Sequence, residues 1–176
     1  MSKFFKALSI AFFVLILIVI IIGLFLPTNY SVNRSIMIDA KPAAIHEYVG
    51  DVKKWHEWEP WTEDDPTIVV TPGEKTSGIG ATQSWVGKDG DGHLTLTSSS
   101  PARGIEYDLF FDNGKYECKS AIVYEPMEEG QTKVTWSMEG NMDKPMIGGY
   151  VALIMESMTG PKFERGLEKL KKQLEE

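Results

Sequence analysis

The sequence predicts an α+β domain in which a curved antiparallel sheet wraps around a long C-terminal helix, preceded by one transmembrane helix. Three observations lead to this prediction. Residues 7–26 are uncharged and almost entirely apolar. Six short segments between 67 and 140 are separated by turn residues, and several of them alternate apolar and polar positions. Apolar residues then recur at helical spacing from 147 to 174. The predicted order of the domain is β-α-α-β6-α.

The charge of the chain is concentrated in one part of it. The 176 residues include 18 basic and 25 acidic side chains. Residues 1–30 hold two lysines and no acidic residue, so residues 31–176 carry 16 basic and 25 acidic side chains, a net charge of −9. This balance excludes a nucleic-acid binder held by a basic face. It also argues against attachment of this part to anionic lipid by charge.

Residues 1–30 are predicted to form an N-terminal transmembrane anchor. At 1.5 Å per residue, a helix over the apolar run 7–26 is roughly 30 Å long, the thickness of the hydrocarbon core of a bilayer. A cleaved signal peptide has a shorter apolar core and a small-x-small cleavage site, which residues 24–30 do not offer. The sequence therefore favours a retained anchor, followed by a single domain over residues 31–176.

The charges that flank the span predict its orientation. Lys3 and Lys6 precede it, whereas Arg34 and Lys41 are the basic residues in the first fifteen positions after it. This slight bias, with the terminal amine, favours a cytoplasmic N-terminus. The protein is then a single-pass protein of the cell membrane whose domain is extracytoplasmic, or periplasmic in a Gram-negative cell.

The domain begins with one strand and two short helices. A weak alternation predicts a strand over 30–39. Pro42 suits the first turn of a helix that ends at Val49. Residues 52–61 fit a second short helix that ends before Pro60, because proline restricts the residue before it. Residues 63–66 read as a turn.

Six strands follow, joined by tight turns and by a glycine-rich hairpin signal at 87–92. In three of these strands one parity is apolar, so one face of the sheet meets water and the other must be covered. The six strands are 67–71, 79–86, 92–98, 103–111, 116–125 and 132–140. The apolar positions are Leu94 and Leu96; Ile105, Tyr107, Leu109 and Phe111; and Val134, Trp136 and Met138.

The C-terminal helix is predicted to cover this face with two apolar stripes of identical spacing. The stripes are out of phase, and Gly160 and Pro161 lie at the slip, which predicts one long helix bent or broken there. The first stripe is Ile147, Val151, Ile154 and Met158, and the second is Phe163, Leu167, Leu170 and Leu174.

A cavity is predicted between the sheet and the first half of this helix. That half is rich in methionine and glycine, whereas the second half uses leucine and phenylalanine, which pack more specifically. Trp55 and Trp58 share one side of a short helix and Trp61 follows at its end; these tryptophans either wall the cavity mouth or plug the sheet as core. For every lining residue the alternative of a packed core stays open. The predicted lining comprises Trp55, Trp58, Trp61, Trp85, Leu94, Leu96, Tyr107, Leu109, Phe111, Trp136, Met138, Val151, Met155 and Met158.

Three stretches carry a resemblance to a known family: Val32–Pro42, Asp51–Trp61 and Gly160–Lys172. They resemble the START-like, helix-grip superfamily, also called SRPBCC, and within it the bacterial polyketide cyclase/dehydrase-like group. The resemblance extends over residues 30–176. It implies the helix-grip fold, in a superfamily whose similar members mostly bind hydrophobic ligands or have no assigned reaction.

No catalytic residues, metal ligands or cofactor are expected. The chain contains no HExxH, CxxC or His-x-His pattern, and no GxSxG, P-loop or GxGxxG motif. His56 has Glu57 and Glu59 nearby but lacks metal-ligand spacing. Cys118, on a predicted strand, is expected to be a small buried residue.

Three functional hypotheses remain. The first is a membrane-anchored domain that binds a lipid or other hydrophobic small molecule between sheet and helix. The second is a polyketide cyclase/dehydrase-like enzyme, in which Tyr107, His56 or Arg103 would orient a substrate. The third is a non-binding interaction module at the membrane. The expected partners are the membrane and a hydrophobic small molecule, with no nucleic acid.

Overall fold

The computed structural model describes residues 3–88, 90–112 and 114–176. Residues 89 and 113, which belong to a predicted hairpin and a predicted turn, lie outside the described residues. The elements are α1 (Lys3–Phe25), β1 (Asn29–Ile38), α2 (Pro42–Val49), a 3-10 helix (Val52–Glu57), α3 (Trp61–Asp64), β2 (Val69–Pro72), β3 (Thr82–Gly87), β4 (Gly90–Ser100), β5 (Gly104–Phe111), β6 (Tyr116–Pro126), a 3-10 turn (Glu128–Gly130), β7 (Thr132–Asn141) and α4 (Gly148–Glu175).

The seven strands form one antiparallel sheet in the order β1-β7-β6-β5-β4-β3-β2. The last six strands follow one another as a meander, as their short turns predict. β1 pairs with β7 along its whole length, from Asn29 opposite Asn141 to Ile38 opposite Thr132. The α+β fold class and the long covering helix are therefore confirmed.

The segment between α2 and β2 differs from the prediction. The 3-10 helix Val52–Glu57 is capped by Asp51, whose carboxylate accepts a hydrogen bond from the Lys53 backbone N–H over 3.0 Å. A separate turn of helix, α3, begins after Pro60. The Glu59 carboxylate accepts hydrogen bonds from the Trp61 N–H and the Thr62 hydroxyl, at 2.6 and 2.9 Å. These bonds satisfy donors at the start of α3, so residues 63–64 are helical rather than part of a turn.

The second half of α4 packs as its apolar stripe predicts. Phe163, Leu167 and Leu170 are buried, and the Phe163 ring lies parallel to the Trp136 ring with centroids 4.1 Å apart. The helix continues through Pro161 without interruption. Of the two predicted alternatives, a bent or a broken helix, the structure excludes the break, and a bend at this position stays a prediction.

The first stripe of α4 is oriented differently from the prediction. Ile147, Ile154 and Met158 are exposed and Val151 is only half-buried. The buried face of this half consists of small residues instead, because α4 packs at close range against β1 and the end of α1. The small residues on this face are Gly148, Gly149, Ala152, Thr159 and Gly160.

Close approach explains why these positions are small. A Cβ atom at Gly149 would collide with the Cβ of Leu26, and one at Gly148 would collide with the backbone carbonyl oxygen of Met142. Bulky apolar side chains do not fit at these glycine positions, and Ile147, Ile154 and Met158 are exposed instead.

Candidate ligand cavity

A cavity of about 580 Å³ lies between the sheet and the first half of α4. It occupies the end of the sheet at which β1 begins and β7 ends, which is also the end nearest α1. Tyr30 on β1, Cys118 on β6 and Met138 on β7 form the floor on that side. Eleven of the predicted residues line it: Trp55, Trp61, Trp85, Leu94, Tyr107, Leu109, Phe111, Trp136, Met138, Met155 and Met158.

Three predicted residues are not among those that line it. Trp58 is fully buried, and its ring packs against the rings of Trp55 and Trp136 with centroids 5.5 and 5.3 Å apart. It is therefore a core residue, although it is the middle tryptophan of the cluster. Leu96 is also buried, two residues further along β4 than Leu94. Val151 is half-buried and is not among the lining residues, because the first half of α4 is rotated relative to the prediction.

The tryptophan cluster divides between the two roles that the sequence left open. Trp55 is buried, donates its indole N–H to the Val49 carbonyl oxygen over 2.9 Å, and also lines the cavity. Trp61 lies at the cavity wall, with the Lys162 ammonium 4.6 Å from its ring centroid. A cation over an indole face is a favourable arrangement, and it holds Lys162 at the rim.

Several polar lining residues were missed by the sequence reasoning, among them Tyr30, Glu59, Gln83, Tyr116 and Cys118. Three of them had a usable signal, because Tyr30 shares the parity of Val32 along β1, Gln83 that of Trp85 along β3, and Cys118 that of Ile122 along β6. Glu59 lies outside the strands and Tyr116 begins β6, where alternation carries little information.

Tyr107 is the most deeply placed polar group on the wall. Its hydroxyl accepts a hydrogen bond from the indole N–H of Trp136 over 2.9 Å. Burial raises the pKa of Tyr107 well above its ordinary value. Tyr107 therefore presents a neutral hydroxyl that is already held by a protein donor.

Cys118 and Tyr30 form a second neutral pair on the cavity floor. Burial raises the pKa of Cys118 to about 11, and burial also raises the pKa of Tyr30. Because the thiolate is the reactive form of cysteine, the Cys118 thiol is a poor nucleophile at neutral pH. It acts as a small apolar wall residue.

A second hollow of about 540 Å³ adjoins the cavity and shares Trp61, Trp85 and Phe111 with it. This hollow is lined by charged side chains of both signs, including Lys88 and Lys162. Four aspartates line it, and hydrogen bonds from the Thr67 hydroxyl and N–H hold the pKa of one of them, Asp65, below its usual value. The four are Asp64, Asp65, Asp91 and Asp112.

The residues named for an enzymatic role do not converge. His56 is exposed and its Nδ1 lies 2.8 Å from the Lys53 carbonyl oxygen. Arg103 is exposed at the turn before β5, at the opposite end of the sheet. Of the three, Tyr107 alone lines the cavity. Within the described ranges, no three His, Cys, Asp or Glu side chains lie close enough together to hold a metal ion.

Solved structures of other proteins share this architecture. A protein from Thermobifida fusca aligns at 18% identity and a TM-score of 0.62, over 82% of this chain and 92% of its own. The KanY protein aligns at 17% identity and 0.60, over 84% and 99% of the two chains. Protein CV1439 from Chromobacterium violaceum aligns at 15% identity and 0.57, over 83% and 97%. At these identities the similarity shows the fold alone.

Comparison at the sequence level identifies the family. No curated protein matches the chain. The family described as "Polyketide cyclase / dehydrase and lipid transport" matches residues 30–175. That description, the helix-grip architecture and the apolar cavity together support hydrophobic ligand binding in general terms. The chain belongs to the polyketide cyclase/dehydrase and lipid transport family.

Proposed function

We propose that this protein is anchored in the cell membrane by α1 and binds a lipid or another hydrophobic small molecule in the cavity between the sheet and α4. The observation that carries the proposal is the cavity itself. Its volume of about 580 Å³ lies within the range of small-molecule sites, which is about 300–1,000 Å³. Aromatic, leucine and methionine side chains make up much of its wall.

The state of the polar wall groups indicates what kind of molecule fits. The Tyr107 hydroxyl is bonded to Trp136, and both carboxylate oxygens of Glu59 accept bonds at the start of α3. A ligand with several polar groups would leave some of them buried without partners, which costs free energy. The ligand is therefore predominantly apolar, with a polar group placed at the rim beside Lys162 or against the Tyr116 hydroxyl, which lines the cavity and has no hydrogen-bond partner among the described residues.

The anchoring part of the proposal follows from α1. Within Phe4–Phe25, the most apolar 18-residue window has a mean hydropathy of 3.3 and is almost entirely unburied by the rest of the chain. This apolar surface needs a hydrocarbon environment, and its length of roughly 33 Å is sufficient to cross a bilayer. Lys6 at the start of α1 supports a cytoplasmic N-terminus.

Photo-cross-linking of the full chain tests ligand binding. The protein is reconstituted in phosphatidylcholine vesicles that contain a fatty acid bearing a diazirine on its acyl chain, irradiated, and mapped by tandem mass spectrometry. We expect adducts on cavity residues such as Met138 and Met155, in addition to adducts on α1.

A matched pair of variants makes this test specific. Leu109→Trp places a larger side chain in the cavity and is expected to reduce the cavity adducts severalfold, whereas Val123→Trp adds the same side chain on exposed surface of the sheet and should leave them unchanged. Adducts confined to α1 in the unaltered chain would refute the proposal.

A further inference from the structure

The first half of α4 exposes an uncharged apolar stripe. Ile147, Leu153, Ile154 and Met158 are 54%, 59%, 49% and 58% exposed. Between residues 147 and 161 the sole charged residue is Glu156, and its carboxylate pairs with the Arg34 guanidinium at 2.6 Å. In a domain with a net charge of −9, a helix face of this kind requires an apolar environment.

The same part of α4 is fastened to α1. The Tyr150 hydroxyl donates a hydrogen bond to the Val19 carbonyl oxygen over 2.7 Å. The Met146 carbonyl and the Tyr150 ring lie so close to Gly23 that a Cβ atom there would overlap them. A Cβ atom at Gly149 would likewise overlap Leu26. Small residues at the contact and a hydrogen bond between helices are features that hold helices together in membranes.

The position of Val19 sets the depth of this contact. Val19 precedes Leu26, the last residue of the apolar run, by seven residues, which is roughly 10 Å along a helix. The contact with Tyr150 therefore lies beside the apolar run itself and not beyond its end. With α1 across the bilayer, the start of α4 is held at the level of the hydrocarbon.

We propose that the stripe Ile147–Met158 of α4 inserts into the membrane leaflet next to the domain, held there by its contact with α1. The inference rests on the proposed anchoring by α1. Insertion of the stripe also places the cavity beside the membrane, because Met158 belongs both to the stripe and to the cavity wall, together with Met142 and Met155. An apolar molecule can then pass from the acyl chains to the cavity without crossing water.

The distribution of charge is consistent with this orientation. The hollow lined by four aspartates, Lys88 and Lys162 is rich in charged groups that favour water, whereas the stripe on α4 is uncharged. Insertion is therefore driven by apolar burial and not by attraction to anionic lipid. It is expected in neutral phosphatidylcholine and should be insensitive to salt.

Spin-label accessibility of the full chain in phosphatidylcholine vesicles tests the proposal. A nitroxide is attached to Ile154→Cys, and in a second protein to Glu168→Cys, which lies on the exposed side of the second half of α4. Both carry Cys118→Ser to remove the native thiol. We expect the label at 154 to collide more with oxygen than with a water-soluble nickel chelate, and the label at 168 to show the reverse.

Two results would overturn the proposal. One is a label at 154 as accessible to the nickel chelate as the label at 168. The other is strong spin–spin broadening at 154 with little access to either reagent, which would show that a second copy of the chain covers the stripe. Retention of the chain in the membrane pellet after an alkaline carbonate wash reports anchoring by α1 separately.

A pair of variants tests the role of the α1 contact. Gly149→Leu is expected to separate the helices and shift the label at 154 toward water, whereas Gln173→Leu, which is exposed near the end of α4, should not. An unchanged depth in Gly149→Leu would contradict the role assigned to this contact. A buried stripe without cavity adducts would leave insertion standing and refute ligand binding, so the two failures are distinguishable.

Discussion

The indole nitrogen of Trp136 on β7 lies 2.9 Å from the hydroxyl oxygen of Tyr107 on β5, and the bond between them spans the intervening strand β6. Both side chains are buried and both line the cavity. The bond thus gives two polar groups on an apolar wall a hydrogen-bond partner, and it links β5 to β7 across β6.

Tyr107→Phe should destabilise the domain by about 1–3 kcal/mol, because the Trp136 N–H would remain buried without an acceptor. Urea denaturation of the full chain in detergent micelles, followed by fluorescence, measures this loss. In a double-mutant cycle, Tyr107→Phe with Trp136→Phe should cost less than the sum of the single changes. Strict additivity would show that the bond contributes nothing.

Met155→Ala and Leu170→Ala separate the cavity wall from the packed half of α4. Met155 lies half-buried against open volume, so its truncation should cost little stability and enlarge the cavity. Leu170 is fully buried, so its truncation should cost about 2–5 kcal/mol. Equal and large losses at both positions in denaturant titrations would indicate a solid core throughout.

Acidification should destabilise the domain through His46. Burial lowers the pKa of His46, whose Nε2 lies 3.1 Å from the Ser99 hydroxyl and whose Nδ1 lies 3.4 Å from the Tyr124 hydroxyl. In the unfolded chain, this side chain is protonated below about pH 6.5. In the folded chain, it is protonated only at a lower pH. Stability therefore falls as the pH drops through that value and levels off once the folded His46 is protonated.

Denaturation at pH 8 and pH 5 measures this effect. His46→Gln should flatten the dependence in that window. Asp64 and Asp65, whose pKa values are lowered in the folded protein, add to acid destabilisation only near and below the ordinary aspartate pKa of about 3.9. A pH dependence that is the same in His46→Gln and in the unaltered chain would assign the effect to other groups.

Cys118 should react slowly with thiol reagents in the folded protein. Its pKa of about 11 and its burial reduce the thiolate fraction at pH 8 on the order of a hundredfold relative to an ordinary cysteine. Iodoacetamide labelling followed by mass spectrometry measures the rate, with unfolded protein and an exposed cysteine at Glu168→Cys as references. Rapid labelling of native Cys118 would show that the cavity floor opens to solvent.

Much of the fold was accessible from local patterns. The parity of Ile105, Tyr107 and Leu109 identified the covered face of β5, and the periodicity of Phe163, Leu167 and Leu170 identified the face of α4 that packs on the sheet. These patterns are reliable because side chains return to the same face every 2 residues in a strand and every 3.6 residues in a helix. Pairing of β1 with β7 was not predicted, because it joins residues that lie 94 to 112 positions apart in the sequence.

The candidate site was predicted less completely than the fold. The aromatic and aliphatic wall follows from strand parity, and eleven predicted residues are on it. Trp58 was predicted to line the cavity but is buried in the core, whereas Trp55 and Trp61 line the cavity. The local spacing of the three tryptophans does not distinguish these two positions. Glu59 and Lys162 were missed because a charged residue near an apolar cavity is positioned by capping and cation–π contacts, which have no periodic signature.

Local periodicity and composition alone established one antiparallel sheet domain, a long amphipathic helix and an apolar span before them. Tertiary packing settled which way the first half of α4 faces. An apolar stripe such as Ile147, Ile154 and Met158 shows only that one side of a helix avoids water, and a protein core and a bilayer satisfy it equally. The close approach of Gly149 to Leu26 and of Gly148 to the Met142 carbonyl oxygen reserves the inner face for small residues, and that steric requirement turns the stripe outward beside α1.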